Sequence, residues 1–218
     1  MTKGSLTPAE RVRANAVKRR IYAKEAARYG CETDFFERRL LGTEHRGWAC
    51  SQARGDTLEV AIGTGLNLPH YPAEVHLTGL DLSPEMLAVA EARAKEIGRS
   101  IALMEGDAHD LPFANGTFGT VVCSYSLCSV TDVARAIAEM KRVLKPGGRL
   151  ILVDHTRSTV WPIFWLQWLM EFIPSRTEGE YMTRRPALQV MAANLEIEAR
   201  DRLRLGIVER LVALKPKQ

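Results

Sequence analysis

Apolar residues along this chain fall into short blocks separated by stretches with helical spacing. Leu58-Glu59-Val60-Ala61-Ile62 is a compact run rich in branched side chains, followed at once by Gly63-Thr64-Gly65. That order predicts a buried strand ending in a tight turn. Val75 to Leu80, Ile101 to Glu105, Thr117 to Ser124 and Arg149 to Asp154 predict four further strands. Leu195 to Leu203 and Gly206 to Leu214 predict a last pair, joined as a hairpin through Arg204 and Leu205. Helices fill the intervals. Ser83-Pro84-Glu85 opens one with an N-cap, a proline at the first position and an early acid, and Thr131 or Asp132 caps another that runs to Leu144. A Ser/Thr-capped helix is expected from Thr183 to Ala193. Upstream, Thr7-Pro8-Ala9-Glu10 starts an Ala/Arg/Lys-rich helix reaching Tyr29. A second is expected from Thr33 or Asp34 through about Gln52, with Phe35, Phe36, Leu40 and Leu41 placed for packing. Strands alternating with helices make a doubly wound, mostly parallel α/β sheet, whose ligands bind at the strand C-termini.

One block departs from this alternation. Val160 to Pro174 reads VWPIFWLQWLMEFIP and holds three of the four tryptophans. It is too short to span a bilayer and too apolar for an ordinary solvated helix. Three fates stay open for it: core beneath the fold, roof of an apolar substrate pocket, or a contact with a membrane interface, each of which buries the aromatics.

Charge adds a further asymmetry. Of the net +4, residues 1–54 contribute +6 (twelve Lys/Arg against six Asp/Glu), residues 55–150 contribute −4 (eight against twelve) and the remainder +2 (ten against eight). The basic excess therefore belongs to the first helix. Its expected apolar stripe, Val12, Ala16, Ala23 and Ala27, fits a solvated helix covering the ligand crevice. A membrane-surface helix is the sharper alternative. Nucleic acid is a third, but no aromatic residues interleave the charges. The four cysteines, Cys31, Cys50, Cys123 and Cys128, show neither Cys-x-x-Cys nor Cys/His clustering, so reduced thiols and no metal site are expected. With 46% hydrophobic residues among 218, one full core is expected, with terminal additions. No run of 18 apolar residues and no signal-peptide core is present, which predicts a cytoplasmic protein, peripheral at most to the inner membrane face.

The candidate chemistry gathers at the strand ends. Asp81 closes the second strand, sixteen positions past Gly65. An acid so placed can accept hydrogen bonds from both hydroxyls of a ribose. Gly106-Asp107-Ala108 brings a second carboxylate to the same edge.

LEVAIGTG, GLDLSPEML, EGDAHDLPF and VLKPGGRLILVDH, in that order between Thr57 and His155, resemble the class I S-adenosylmethionine-dependent methyltransferases. The resemblance implies their seven-stranded Rossmann-like sheet, a helical cap over residues 1–54, a cofactor-binding domain over 55–218 and an aromatic insertion at about 157–182. Ala61 departs from the family's first turn glycine and is expected to be tolerated at an ordinary negative φ. By correspondence, Ala61, Gly63, Thr64, Gly65 and Asn67 form the turn beside the cofactor's methionine part, and Glu59 orients that end. Asp81 takes the ribose, Asp107 and the Ala108 amide the adenine, while Leu82 and Met86 flank the ring and the Ser124 carbonyl meets the cofactor's amino group. Tyr22 and Tyr29 resemble tyrosines that close over the cofactor, with a core role equally open. His155, then Asp154, His109 and Tyr125, are the candidate bases, if the acceptor needs one; His155 can equally be a capping or packing residue.

GTGLNLPHYP and LDLSPEML further resemble bacterial phosphatidylethanolamine N-methyltransferases and, less closely, quinone C-methyltransferases. CSYSLCSV through EGEYMTRRP resembles methyltransferase-like thiol S-methyltransferases. These relatives imply a hydrophobic small-molecule or lipid-like acceptor, with thiol or amine favoured, held by Trp161, Trp165, Trp168, Tyr22 and Cys128. A non-catalytic cofactor-binding or partner protein, and a nucleic-acid methyltransferase, are the alternatives. Oligomeric state is left open.

Overall fold

The computed structural model describes residues 7–36, 39, 41–172, 175 and 179–217. Seven strands form one sheet: β1 (Asp56–Val60), β2 (His76–Asp81), β3 (Ala102–Glu105), β4 (Phe118–Ser124), β5 (Leu144–His155), β6 (Glu196–Leu203) and β7 (Val208–Leu214), in the order β3-β2-β1-β4-β5-β7-β6. The first five run parallel, and β7 is antiparallel to both β5 and β6. This is the doubly wound sheet with a terminal hairpin that the periodicity predicts, and Arg204 and Leu205 turn the hairpin with left-handed φ of 52° and 59°. Strand ends shift by a residue or two; β5 begins early because Leu144 pairs with Phe118 before the Gly147-Gly148 turn.

Alternation along the strands separates two cores. Leu150, Leu152, Val121 and Cys123 face one layer, where α4 (Val133–Val143) and α6 (Pro186–Ala192) supply Ile137, Met140, Ala187 and Val190. Ile151, Val153 and Val122 face the other, under Ala49 and Cys50 of α2 (Glu44–Cys50) and Ala94 of α3 (Pro84–Glu96). The parallel strands are covered on both faces, as expected for continuous apolar runs. Asp132 and Ser83 cap α4 and α3 by accepting the Arg135 and Met86 amides. α6 starts at Pro186, not Thr183, because Thr183 is tied instead to Glu171.

The N-terminal region differs from its expected form. A single helix, α1 (Pro8–Phe36), runs through the expected break at Tyr29, and α2 is only seven residues long. Leu41 is buried as expected, whereas the side chains of Phe35, Phe36 and Leu40 lie outside the described residues. The expected stripe of α1 also turns outward: Val12, Ala16 and Ala27 are exposed, and Lys18 and Ala26 are buried. Its inner face carries Asn15, Lys18, Tyr22 and Tyr29, spaced at helical period over the sheet's C-terminal edge. The crevice beneath offers Asp107 to Asn15 and apolar side chains to the tyrosines, so the mixed side of the helix is the one that packs.

The aromatic block forms α5 (Trp161–Glu171), and it does not bury its tryptophans. Among the described residues no helix is long and apolar enough to cross a membrane.

Candidate active site

Strand order reverses between β1 and β4, and the crevice opens at that switch point, as in other open α/β sheets. Counting the open solvent at its mouth, it holds about 700 Å³ of space. Ala61, Gly63, Asp81, Leu82, Met86, Asp107, Ala108, Tyr125, Tyr22 and Tyr29 line it.

The turn after β1 takes three left-handed residues: Ala61 at φ 56°, Gly63 at 55° and Gly65 at 74°. The two glycines serve different ends. A Cβ on Gly63 would meet nothing within 4 Å, so its bare backbone leaves room at the crevice wall. One on Gly65 would meet Leu68 Cδ1 at 2.7 Å and the Ala90 Cβ at 3.2 Å, so that glycine allows α3 to approach the turn. Ala61 corrects the expectation of an ordinary negative φ: it bears a Cβ in a conformation that costs an L-residue about 1 kcal/mol. Ala61→Gly is therefore expected to stabilise the protein by about 1 kcal/mol, read as a higher denaturant midpoint at unchanged slope.

Asp81 braces this turn. Its Oδ2 accepts the Gly63 amide at 2.8 Å and its Oδ1 the Ser83 amide at 2.9 Å. Burial raises its pKa, against the pull of those amides. Each oxygen keeps a further lone pair, which suits a vicinal diol arriving from the crevice.

Asp107 is held differently. Its Oδ1 receives both the amide and Nδ1 of His109, at 2.9 and 2.5 Å, and its Oδ2 receives Asn15 Nδ2 at 2.7 Å. Partial burial would raise its pKa, but the His109 and Asn15 donors prevail and lower it. The Asp132 amide donates to His109 Nε2 at 3.1 Å, which fixes the tautomer with the proton on Nδ1. Both ring nitrogens of His109 are thus committed, so it ties Asp107 to the start of α4 and is not placed to take a proton from a substrate. Asn15 and Lys18 carried no motif in the sequence; only the docking of α1 brings them here.

Behind the turn lies a buried polar network. Asn67 Nδ2 donates to Glu59 Oε1 at 2.6 Å and to Ser124 Oγ at 2.7 Å, while Asn67 Oδ1 accepts from Arg46 at 2.9 Å. Glu59 is 1% exposed, and its second oxygen, beside the Tyr71 hydroxyl, accepts no hydrogen bond of good geometry. Burial pushes its pKa up to about 7 despite Tyr71, Asn67 and Arg46. A buried carboxylate with an oxygen to spare is suited to a cationic group on a ligand. Thr64, Gly65, Asn67, Glu59 and Ser124 stand behind the crevice wall and do not line it. Ser126 Oγ already donates to the Ser124 carbonyl at 2.8 Å, leaving that oxygen one lone pair.

The candidate bases are spread apart. Tyr125 lines the crevice at a left-handed φ of 51°, its ring between the Arg46 guanidinium at 5.0 Å and the His155 ring at 5.1 Å. His155 stands behind Tyr125, and burial, with the Arg46 charge, pushes its pKa down to about 4. Both oxygens of Asp154 accept backbone amides, from Leu127 and His155 at 2.7 Å each, and burial raises its pKa to about 6. Asp154 thereby fixes the loop after β4 and does not face the crevice.

The residues expected to hold an acceptor divide as well. Tyr22 and Tyr29 stand at the crevice mouth in a T-shaped pair, 6.3 Å between centroids, and the Tyr22 hydroxyl reaches Glu180 at 3.5 Å. Cys128 is buried outside the lining, with its carbonyl accepting the Tyr181 amide. Trp161, Trp165 and Trp168 do not reach the crevice and are 69%, 46% and 48% exposed. Arg46 was missed in the sequence, where it is one of many arginines in a basic segment.

A family model described as a methyltransferase domain matches residues 58–152. A phosphatidylethanolamine N-methyltransferase of Cereibacter sphaeroides is 42% identical over 103 residues, 46% of this chain and 51% of that protein. The ubiquinone/menaquinone biosynthesis C-methyltransferase UbiE of Paracoccus denitrificans is 32% identical over 178 residues, 77% of this chain and 69% of that protein. The chain thus spans about half the length of several curated relatives it matches. Among solved structures, a chain of the complex between the Haloferax volcanii Trm112 methyltransferase activator and a methyltransferase superposes with a TM-score of 0.70 at 18% identity, covering 89% of this chain and 97% of that one.

Proposed function

Because the chain belongs to the family of UbiE-type methyltransferases, we propose that it moves a methyl group from S-adenosylmethionine to a hydrophobic small-molecule or lipid-like acceptor. The observation that carries the reading is the crevice floor. Two carboxylates, Asp81 at the end of β2 and Asp107 just past β3, open into it on one side of Gly63, whose missing side chain leaves the wall clear. Asp81 suits the ribose hydroxyls, and Asp107 with the Ala108 amide suits the adenine edge. Leu82 and Met86 supply apolar surface for the ring, and Glu59, behind the wall, orients the turn beside the methionine end through Asn67.

When bound, the cofactor supplies an electrophilic methyl group on sulfonium. The protein must then hold an acceptor atom in line at about 3 Å and exclude water. Tyr125, Tyr22 and Tyr29 surround the open part of the crevice and offer apolar faces with polar tips. A phospholipid amine or an alkyl or aryl thiol fits such a wall, and the names of the relatives point to lipid-soluble acceptors. Acceptors of that kind partition into bilayers, which supports a reaction at a membrane face.

Positioning carries the rate in this reading. A histidine with a pKa near 4 is a weak base at neutral pH, and His155 is behind the wall. His155→Ala is expected to lower kcat by less than about 10²-fold with cofactor affinity unchanged; a loss above about 10³-fold would make it the general base. The reading itself is tested by incubating the protein with S-adenosylmethionine and a panel of long-chain thiol, phospholipid amine and demethylated quinone, with mass spectrometry of the extracted acceptors. A mass gain of one methylene unit on an apolar member supports it.

A further inference from the structure

Helix α5 is amphipathic in the reverse sense. Its partly buried positions are Ile163, Phe164, Gln167 and Glu171, of which two are polar. Gln167 Oε1 accepts the Ser158 amide at 2.7 Å and its Nε2 donates to the Thr156 carbonyl at 3.1 Å. Glu171 accepts the Thr183 amide and hydroxyl at 2.8 and 3.1 Å. The helix thus spends its polar groups on the protein and shows its apolar ones to the outside. Trp161, Trp165, Leu166, Trp168, Leu169 and Met170 are each 46% to 69% exposed. Leu205, 63% exposed at the β6–β7 turn, extends the patch, since Ser158 and Thr159 beside the helix start both bond to its carbonyl.

Charge at the edge of this surface is positive. Arg157 lies over the Phe164 ring at 4.1 Å, and the Arg202 guanidinium donates to the Arg157 carbonyl. Arg185, Arg200 and Arg157 all bear on Arg202, and Glu209 is the carboxylate that offsets them. Tryptophans beside an arginine rim match the interfacial layer of a bilayer, where indole rings sit at headgroup depth and arginines meet phosphate.

We propose that α5 and the Leu205 turn form a docking surface for a lipid bilayer with anionic headgroups. The proposal deepens the lipid-like acceptor reading above and rests on it only for the use of the surface. Residues 179–183 join the far end of α5 to the crevice mouth, through Thr183 on Glu171, Tyr181 on Cys128 and Glu180 on Tyr22. A docked protein would therefore hold the crevice mouth near the headgroups.

The test uses the full chain with phosphatidylcholine vesicles, with and without phosphatidylglycerol, in flotation and in tryptophan quenching by brominated acyl chains. Binding to the anionic vesicles and quenching are expected, because three of the four tryptophans lie on α5. Trp165→Ser with Leu169→Ser is expected to weaken vesicle binding by at least about tenfold. Arg157→Gln with Arg185→Gln is expected to abolish the preference for phosphatidylglycerol. Arg13→Gln with Arg20→Gln, on the outer side of α1, should change neither. S-Adenosylhomocysteine affinity, measured on every variant, should hold, so failure of docking is distinguishable from failure of the enzyme reading. Absence of vesicle binding by the full chain, or equal binding by the Trp165/Leu169 variant, would overturn the proposal. So would self-association in vesicle-free buffer that the same variant abolishes, since the face would then be an interface between copies.

Discussion

Asp81→Ala should weaken S-adenosylhomocysteine binding by at least about 10²-fold, because hydrogen bonds to a charged acceptor contribute about 1.5–3 kcal/mol each and a ribose offers two. The same change also removes the acceptor for the Gly63 and Ser83 amides, so the turn loses its brace along with its ligand contact. Calorimetric titration gives the affinity, and the thermal midpoint shows whether the fold persists. Asp81→Asn separates the two contributions: it keeps an acceptor for one amide while removing the charge, and should fall between the alanine variant and the parent. Parental affinity in Asp81→Ala with an intact fold would remove the ribose role from this residue.

Glu59→Gln should have two opposite effects. The folded-state pKa of Glu59 lies near 7, above its usual 4.5, so protonation is favoured by folding. The stability this contributes is fully present below 4.5 and is lost as pH rises through 7. At pH 8 the ionised parent is therefore penalised by about 3 kcal/mol relative to a neutral isostere, at about 1.4 kcal/mol per unit. The substituted amide keeps an oxygen for Asn67 Nδ2, so Glu59→Gln should be more stable than the parent at pH 8 by up to that amount and nearly equal at pH 4. Cofactor affinity should move the other way, falling by about 10-fold to 10²-fold as the buried negative charge behind the crevice wall is lost. Chemical denaturation at the two pH values and one titration decide it. A variant that loses stability at pH 8 would show that Glu59 serves the fold rather than the ligand.

Much of the sheet was legible because its strands are short apolar runs, most of them ended by glycine or acid, and because Ser83 and Pro84 mark one helix start and Thr131 or Asp132 another. Asp81 and Asp107 were legible for the same reason: Asp81 stands one step and Asp107 three steps past an apolar run, where a parallel strand must deliver each to the crevice. What stayed hidden depends on partners distant in sequence. The inner face of α1 could not be found from its apolar residues, since it meets the crevice through Asn15, Lys18, Tyr22 and Tyr29. Arg46 acquires its place only when α2 docks beside Asn67 and Tyr125. The left-handed φ of Ala61 contradicts what an alanine suggests, and only the geometry of the turn imposes it. The orientation of α5 was open because its composition is apolar all round except for Gln167 and Glu171, and those two are the residues that face the protein.

Methyl transfer to an apolar acceptor is the reaction proposed for this protein. Its most direct test is the transfer of labelled methyl from S-adenosylmethionine into the organic phase of a reaction containing the detergent-dispersed acceptor panel. Label in that phase, abolished by Asp81→Ala and retained by His155→Ala, is the predicted result. Cofactor binding with no label on any apolar acceptor, or label found only on added nucleic acid, would contradict it.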